Sequence, residues 1–226
     1  MENISSVHKF FETDVGQRNS GVYKFVELSN KIENKDINTW NHSQRVAELA
    51  VLIGKEMGLS EKNLDTLRYG GLLHDIGKTE VPDNILFKNT KLSDGEYSII
   101  KKHTFVGAEI LSDALKESSE ESFGDSNVMS NVVPIIKYHH ERYDGKGYPE
   151  RLVGDEIPLT ARIMAVADSF DAMYSKRVYK EGMKLEDVVK EIKINRGTQF
   201  DPTVADVFLN IINNDFEDVK KIEEMY

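Results

Sequence analysis

Apolar residues recur every three or four positions along most of the chain, which is the spacing of one face of an α-helix. The clearest such face carries Val46, Leu49, Ala50, Ile53 and Met57. His42 lies four residues before the first of these and therefore shares their face. Runs of alternating apolar and polar residues, the usual sign of strands, are scarce. The pattern predicts an all-α fold in which the helices pack as a bundle.

Capping residues mark where several of these helices begin. Ser93 and Glu96 form a capping box, in which each residue satisfies a free backbone N–H of the first helical turn. We expect the helix that they start to carry His103. Asp201, followed by Pro202, predicts the start of another helix.

The length of 226 residues fits one domain of ordinary size. We expect residues 36–226 to form this domain and residues 1–35 to form a helical extension packed on it. The chain has no cysteine, which excludes disulfides and thiolate metal sites and is compatible with a cytoplasmic location. Neither a signal peptide nor an apolar run approaching 18 residues is present, so no membrane segment is expected.

The chain is acidic, with a net charge of −10 from 29 basic and 39 acidic residues. Binding of long nucleic acids depends on neutralising phosphates with lysine and arginine, so this charge argues against such a partner. A small phosphorylated substrate stays compatible, because it responds to the local field of a site rather than to the global charge.

Five of the six histidines form one spaced set with two aspartates: His42, His74, Asp75, His103, His139, His140 and Asp168. Imidazole and carboxylate ligands suit Fe, Mn, Zn or Ni. Seven ligands exceed the need of one tetrahedral ion, so the set predicts two ions that share a carboxylate. Neighbouring residues on a helix point about 100° apart. The adjacent pairs therefore serve one site only from a helix end or around two neighbouring ions.

The order of these residues resembles the HD superfamily of metal-dependent phosphohydrolases. The stretch HHERYDGKGYP, which begins at His139, narrows the resemblance to the HD-GYP subfamily. Further matching pieces are HDIGK from His74, DSFDA from Asp168 and GTQFDP from Gly197. The resemblance covers roughly residues 36–212. It implies a helical HD fold around a dinuclear metal site, and a phosphodiesterase that opens cyclic dinucleotides, chiefly cyclic di-GMP, to linear pGpG and often on to GMP.

The resemblance also implies a role for each residue. All seven members of the set become metal ligands, with Asp75 bridging and Lys78 beside the scissile phosphate. The implied substrate contacts are Gly145, Tyr148, Pro149, Arg177 and Lys180. The simpler alternatives are a solvated helix-end cation for Lys78, a plain turn for the glycine-rich loop of residues 141–155 and exposed charges for the last two residues. We interpret Asp171 and Asp201 as structural, and Asp36 and Glu141 as supporting or packing residues.

Asn38 bears on the number of metal ions. Some family members carry a glutamate four residues before the first histidine, and that glutamate recruits a third ion. Asn38 is neutral and offers only a carbonyl oxygen, so we expect two ions and pGpG as the favoured product. Fe and Mn are the preferred identities, whereas ligand type alone leaves Zn and Ni open.

Alternative functions stay open at this level. The chain could be a cyclic-dinucleotide receptor or docking module with little turnover, although such a module has no need of seven ligands. It could also prefer cyclic GMP-AMP, or, against the GYP stretch, act on another phosphoester. A homodimer or a covalently attached regulatory domain is a further expectation.

Overall fold

Eleven α-helices and two 3-10 turns run through the part of the chain that the computed structural model describes, residues 23–117, 126–175 and 182–226. The helices are α1 (Tyr23–Lys35), α2 (Ile37–Glu56), α3 (Glu61–Leu73), α4 (Asp83–Leu86), α5 (Asp94–Lys101), α6 (His103–Glu117), α7 (Ser126–Tyr138), α8 (Leu159–Tyr174), α9 (Leu185–Ile194), α10 (Pro202–Asn214) and α11 (Phe216–Met225). Only isolated β-bridges occur in these ranges, without a strand. The prediction of an all-α fold is confirmed.

Helix α2 lies at the centre of the bundle and packs against α1, α3, α8, α10 and α11. One apolar cluster joins α2 and α3 to α8, α9 and α10, and has Phe170 and Phe208 at its middle. A second cluster joins α1 to α2, α3, α6 and α7 around Trp40. The residues predicted to form the apolar face of α2 from Val46 to Ile53 are fully buried. Hydrophobic burial on both sides of one helix therefore fixes where His42 lies.

Helix α1 belongs to the predicted extension and shares a core with the main body. Phe25, Leu28 and Ile32 are buried, and the ring of Phe25 meets that of Tyr69 edge-on at 4.8 Å. Asp36 alone separates α1 from α2, and its carboxylate accepts hydrogen bonds from backbone amides in the first turn of α2. The rest of the predicted extension, residues 1–22, lies outside the described residues. The domain boundary at residue 35 stays a prediction.

The predicted caps are found, but the helix expected to carry His103 is divided. The Ser93–Glu96 capping box begins α5, and Asp201 accepts from two amides at the start of α10. Helix α5 ends at Lys101, and α6 begins at His103. The reason is local: Nδ1 of His103 lies 2.8 Å from the Ile100 carbonyl, which a continuous helix would pair with the amide of residue 104.

No helix of the described ranges combines the length and the apolar character needed to cross a bilayer.

Candidate metal centre

The seven predicted ligands converge from five helices. His42 comes from α2 and Asp168 from α8, while the other members follow or begin a helix: His74 and Asp75 after α3, His103 at the start of α6, and His139 and His140 after α7. Both adjacent pairs therefore project from helix ends, as their geometry requires. Helix α7 ends at Tyr138, so His139 and His140 directly follow its last residue.

The ligand atoms form three overlapping groups. His42, His74 and Asp168 make one, and His103, His139 and His140 make another, with ligand atoms within 4.8 Å of one another in each. A third group of His74, Asp75 and His139 lies between them. The carboxylate of Asp75 reaches both sides, with Oδ2 3.4 Å from Nε2 of His74 and Oδ1 3.4 Å from Nε2 of His103. This arrangement suits two ions with Asp75 between them.

The donor set fits divalent cations. Nε2 of His74 and Oδ1 of Asp75 are buried and have no hydrogen-bond partner. An unsatisfied buried polar atom is costly, and native proteins rarely keep one without a purpose. Two carboxylates beside imidazole nitrogens are also the ligands that such ions prefer, and the absence of thiolates is no obstacle.

Three imidazoles are oriented by the helix ends that carry them. In each, Nδ1 lies within hydrogen-bond distance of the backbone carbonyl three residues earlier: His74 with Gly71 at 2.6 Å, His103 with Ile100 at 2.8 Å and His139 with Ile136 at 2.9 Å. A carbonyl only accepts, so Nδ1 carries the proton and Nε2 keeps its lone pair. The helix termini therefore select the tautomer that binds a metal through Nε2.

His42 is oriented by a carboxylate instead. Its Nδ1 lies 2.5 Å from Oδ2 of Asp171, and Arg45 donates to the same carboxylate at 2.5 and 3.2 Å. Glu223 of α11 lies behind, 3.6 Å from Nε of Arg45, and also accepts from the Ser175 hydroxyl. The interpretation of Asp171 as a hydrogen-bonded structural residue was incomplete, because this carboxylate supports a candidate ligand directly.

The pKa is lowered for three imidazoles of the centre and raised for a fourth. Burial lowers the pKa of His103 to about 3, that of His140 to about 4 and that of His139 well below its ordinary value. These three side chains are therefore neutral, as metal ligands must be. Burial also acts to lower the pKa of His42, but Asp171 and Asp168 outweigh it and raise the value to about 9.

Both carboxylates of the centre are ionised. Burial acts to raise the pKa of Asp75, but the neighbouring Lys78 and imidazoles hold it well below its ordinary value. The hydrogen bond from His42 does the same for Asp168 against the effect of burial. Two ionised carboxylates are therefore available as ligands beside neutral imidazoles, which is the donor chemistry that divalent ions prefer.

Lys78 lies beside the centre on the 3-10 turn Ile76–Glu80. Its amino group is 2.5 Å from Oδ2 of Asp75, and its side chain is 27% exposed, so a substrate can reach it. Gly77 allows this turn to press against α6, because a Cβ there would lie only 2.0 Å from the carbonyl oxygen of His103.

The glycine-rich loop stands over the second ligand group. The Tyr148 ring is 4.9 Å from that of His140, and the Tyr148 amide donates to the His140 carbonyl. Gly145 has a φ of 73°, the left-handed conformation that glycine adopts without strain. Pro149 is exposed beside Tyr148. The remaining two predicted contacts, Arg177 and Lys180, lie outside the described residues.

Glu141 anchors the loop. Its Oε1 accepts hydrogen bonds from the amides of Glu150 at 2.6 Å and Arg151 at 2.9 Å. The interpretation of Glu141 as a supporting residue agrees with these contacts.

A cavity of about 200 Å³ opens beside the second ligand group. Its walls include His139, His140, Tyr148, Tyr97, Arg142 and Gln199. Sequence reasoning missed the last three as site residues. Arg142 and Gln199 lie inside motifs that carried the family resemblance, so those motifs held a usable signal. Tyr97 lies in the helix start marked by Ser93 and Glu96, a pattern that gives no sign of a site residue; its side chain is 49% exposed and lines the cavity.

Comparisons with known proteins agree with this geometry. The family model described as HD domain matches residues 27–204. Over 183 residues the chain is 39% identical to the cyclic di-GMP phosphodiesterase response regulator RpfG of Xanthomonas campestris, covering 80% of this chain and 46% of that protein. It is also 39% identical to a cyclic di-GMP phosphodiesterase of Thermotoga maritima, covering 84% of this chain and 49% of the relative. A third relative, 3′3′-cGAMP-specific phosphodiesterase 2 of Vibrio cholerae, is 34% identical over 92% of this chain and 38% of its own length. The chain thus spans about half the length, or less, of the curated relatives it matches.

Solved structures show the same fold. The HD domain of Listeria monocytogenes phosphodiesterase PgpH in complex with cyclic-di-AMP matches with a TM-score of 0.57 at 20% identity, over 88% of this chain and 97% of that one. The V-cGAP3 phosphodiesterase of Vibrio cholerae matches with a TM-score of 0.56 at 19% identity, over 88% of this chain and 51% of that one. The chain belongs to the HD-domain family.

Proposed function

We propose that this chain is a metal-dependent phosphodiesterase that hydrolyses cyclic di-GMP to linear pGpG. The observation that carries the proposal is the convergence of seven ligand side chains into overlapping groups, with Asp75 reaching both sides. The names of the relatives from Xanthomonas campestris and Thermotoga maritima support the substrate. A receptor module would need the fold and the loop, but not this ligand set.

The proposed cofactor is a pair of divalent ions, Fe or Mn. His42, His74 and Asp168 would hold one, and His103, His139 and His140 the other, with Asp75 shared. Ions held there supply Lewis acidity to a phosphodiester and a nucleophile from water near neutral pH. Asn38 supports a count of two, because its carboxamide donates to Asp36 and adds no charge to the centre.

The chain's own residues would bind and orient the substrate. Lys78 would donate to a non-bridging oxygen of the reacting phosphate and stabilise the charge that grows there. Gly145, Tyr148 and Pro149 would place the loop against the nucleotide, and Tyr148 would present its ring face beside His140. Arg177 and Lys180 are proposed phosphate contacts on the resemblance alone.

Cyclic GMP-AMP is the second candidate substrate, because the Vibrio cholerae relative that is named for it covers 92% of this chain. The two substrates differ in one base, so the choice rests on the walls of the nucleotide site and not on the metal centre. The reaction at phosphorus would be the same for both.

The deciding experiment is hydrolysis of cyclic di-GMP by protein loaded with Fe(II) or Mn(II), with products separated by chromatography and cyclic GMP-AMP run in parallel. Accumulation of pGpG supports the proposal together with its two-ion centre. If GMP is the main product, the protein is still a phosphodiesterase, but Asn38 no longer supports a count of two ions. Metal-loaded protein that binds cyclic di-GMP without turnover is a receptor, and the proposal is then wrong.

The proposed setting is a cytoplasmic signalling protein, which the absence of cysteine suits. A regulatory domain attached to this unit is part of the proposal, since the relatives are about twice as long as the matched region. A homodimer is the other arrangement expected. Size-exclusion chromatography with light scattering distinguishes the monomer from the dimer.

A further inference from the structure

Lys101 lies between two aromatic rings at the edge of the cavity. Its amino nitrogen is 5.1 Å from the ring centre of Tyr97 and 5.8 Å from that of Tyr148. Tyr97 is on the same helix, one turn earlier, whereas Tyr148 belongs to the glycine-rich loop. The contact with Tyr148 is therefore tertiary and fixes the amino group next to the loop that stands over His140.

The amino group of Lys101 forms no ion pair with a carboxylate of the described residues. Lys78 and Lys137 each lie 2.5 Å from a carboxylate oxygen. For Lys101 the corresponding contacts are the two ring faces alone. A cation over an aromatic face is attracted by the ring quadrupole, and it keeps its N–H donors. The rings thus hold an ammonium group in place and leave it able to bind an anion.

The second phosphate of a cyclic dinucleotide is an anion that such a group can bind, in addition to the phosphate contacts proposed for Arg177 and Lys180. The two phosphodiesters belong to one closed ring, so they lie on opposite sides of it. When one is at the metal centre, the other points away from the ions and keeps its full negative charge. A small anion responds to the local field of its site, so a cation held beside this phosphate stabilises its charge.

The size of the cavity agrees with a substrate that has one phosphate at the metal centre and the other away from it. Its volume of about 200 Å³ is below the roughly 300–1,000 Å³ of pockets that enclose a drug-sized ligand. The cavity therefore accepts only part of a cyclic dinucleotide, and the remainder lies over its open edge. Tyr97 and Tyr148 both line the cavity and both contact Lys101, so the amino group lies beside this part of the cavity wall.

We propose that Lys101, held by the rings of Tyr97 and Tyr148, binds the phosphate of the cyclic dinucleotide that does not react. The inference rests on the proposed function for its substrate class. It assigns Lys101 to binding and not to the chemical step, because its amino group contacts the rings of Tyr97 and Tyr148 and, within the described residues, none of the candidate ligands.

The test compares Lys101→Gln with the unchanged 226-residue chain on two substrates. Cyclic di-GMP has a second phosphate, whereas bis(p-nitrophenyl) phosphate has only the reacting one. We expect the variant to raise KM for cyclic di-GMP about tenfold, with kcat within about twofold, because the lost contact is made equally in the ground and transition states. Hydrolysis of bis(p-nitrophenyl) phosphate should be unchanged. Lys101→Arg should restore most of the binding.

Lys102→Gln is the matched control, since Lys102 is the adjacent exposed lysine and should leave both substrates unaffected. Tyr97→Ala should raise KM for cyclic di-GMP, whereas Tyr97→Phe, which keeps the ring, should not. Thermal unfolding followed by circular dichroism checks that each variant is folded. An unchanged KM in Lys101→Gln, or an equal loss on both substrates, overturns the inference.

Failure of the proposed function and failure of the role of Lys101 give different results in these measurements. If the unchanged protein binds cyclic di-GMP without turnover, Kd replaces KM in the same comparison, and Lys101 is still tested. If the protein hydrolyses bis(p-nitrophenyl) phosphate but neither binds nor hydrolyses a cyclic dinucleotide, the proposed substrate is wrong and the role of Lys101 falls with it.

Discussion

Oδ2 of Asp171 lies 2.5 Å from Nδ1 of His42, although 129 positions separate the two residues in the chain. The contact joins α8 to α2 and decides which nitrogen of His42 faces the other ligands. Arg45 holds the same carboxylate from one turn further along α2. One imidazole thus depends on an ion pair for its orientation, whereas three others depend on their own helix ends.

Asp171→Asn should weaken metal binding without unfolding the protein. The amide keeps the size of the side chain but removes the charge that orients His42, and loss of such a supporting contact typically costs about 10- to 100-fold in metal affinity. Metal content after dialysis against a weak chelator measures the effect. Asp201→Asn is the control, because Asp201 is also a buried carboxylate paired with an arginine but lies on a helix cap. Full metal retention in Asp171→Asn would contradict the role assigned to the contact.

Asp75→Ala should remove both ions and abolish hydrolysis. The two oxygens of Asp75 lie 3.4 Å from Nε2 of His74 and from Nε2 of His103, which belong to different groups, so its loss opens both sites at once. Elemental analysis should find less than one ion per chain, and a strong chelator should reproduce the loss of activity in the unchanged protein. Retention of one ion per chain would mean that Asp75 serves a single site.

Lys78→Ala should keep both ions and lose rate. In the proposed mechanism the amino group would contribute charge beside the reacting phosphate, and removal of one such group costs on the order of 100-fold in kcat. Metal content and kcat are measured on the same preparation. Lys88→Ala is the control, since Lys88 also pairs with a carboxylate, that of Glu96, at a surface position. Equal kcat in Lys78→Ala and the unchanged enzyme would remove Lys78 from the mechanism.

Gly77→Ala should destabilise the fold near the centre. The added Cβ would lie 2.0 Å from the His103 carbonyl oxygen and 2.7 Å from the Gly107 amide nitrogen, so the 3-10 turn and α6 must separate. Such overpacking costs about 1–3 kcal/mol. Gly95→Ala provides the contrast, because a Cβ there meets nothing within 4 Å. Thermal unfolding should give a lower Tm for the first variant and an equal or higher Tm for the second.

Glu223 should make stability depend on pH. Burial raises its pKa to about 7 from the ordinary 4.5, and the charge of Asp171 acts in the same direction against Ser175 and Arg45. The folded protein therefore holds this proton more tightly than the unfolded chain does. The resulting stabilisation is complete below about pH 4.5 and is lost as the pH rises through about 7.

Comparison with Glu223→Gln isolates this effect, because the histidines titrate in both proteins. Between about pH 5 and 8 the free energy of unfolding of the unchanged protein should fall relative to the variant, by on the order of 3 kcal/mol at most. Denaturant unfolding at several pH values measures the difference. Glu224→Gln, at a more exposed neighbour, should run parallel to the unchanged protein. A constant difference between Glu223→Gln and the unchanged protein would contradict the raised pKa.

The fold class and the convergence of the seven candidate ligands could be predicted because both depend on short-range patterns. The apolar face of α2 follows from helical spacing, and the choice of the seven candidates follows from residue type and order. Their role as metal ligands stays a prediction. The motifs also placed Lys78 and Tyr148 beside the centre, where the structure has them.

Other features depend on contacts that sequence spacing does not encode. The bond between Asp171 and His42 joins residues 129 positions apart, and Glu223 reaches Arg45 from the last helix. The break between α5 and α6 depends on a side chain that competes for a backbone carbonyl, which local propensity does not anticipate. Tyr97 shows a third limit, because its helix-start pattern is the same whether its ring meets solvent or a cavity.

The hydrogen bonds from His74, His103 and His139 to carbonyls three residues back have a consequence for how such centres vary and how they are built. Each imidazole is oriented by a hydrogen bond within its own segment of four residues. Its orientation therefore does not depend on the path of the chain between one such segment and the next. An insertion in a connecting loop leaves every four-residue segment intact. A single residue inserted between the carbonyl and the histidine instead turns the ring by about 100°. A designer who wishes to move this chemistry to another helical scaffold should therefore transplant helix ends as units, and leave the loops to the host.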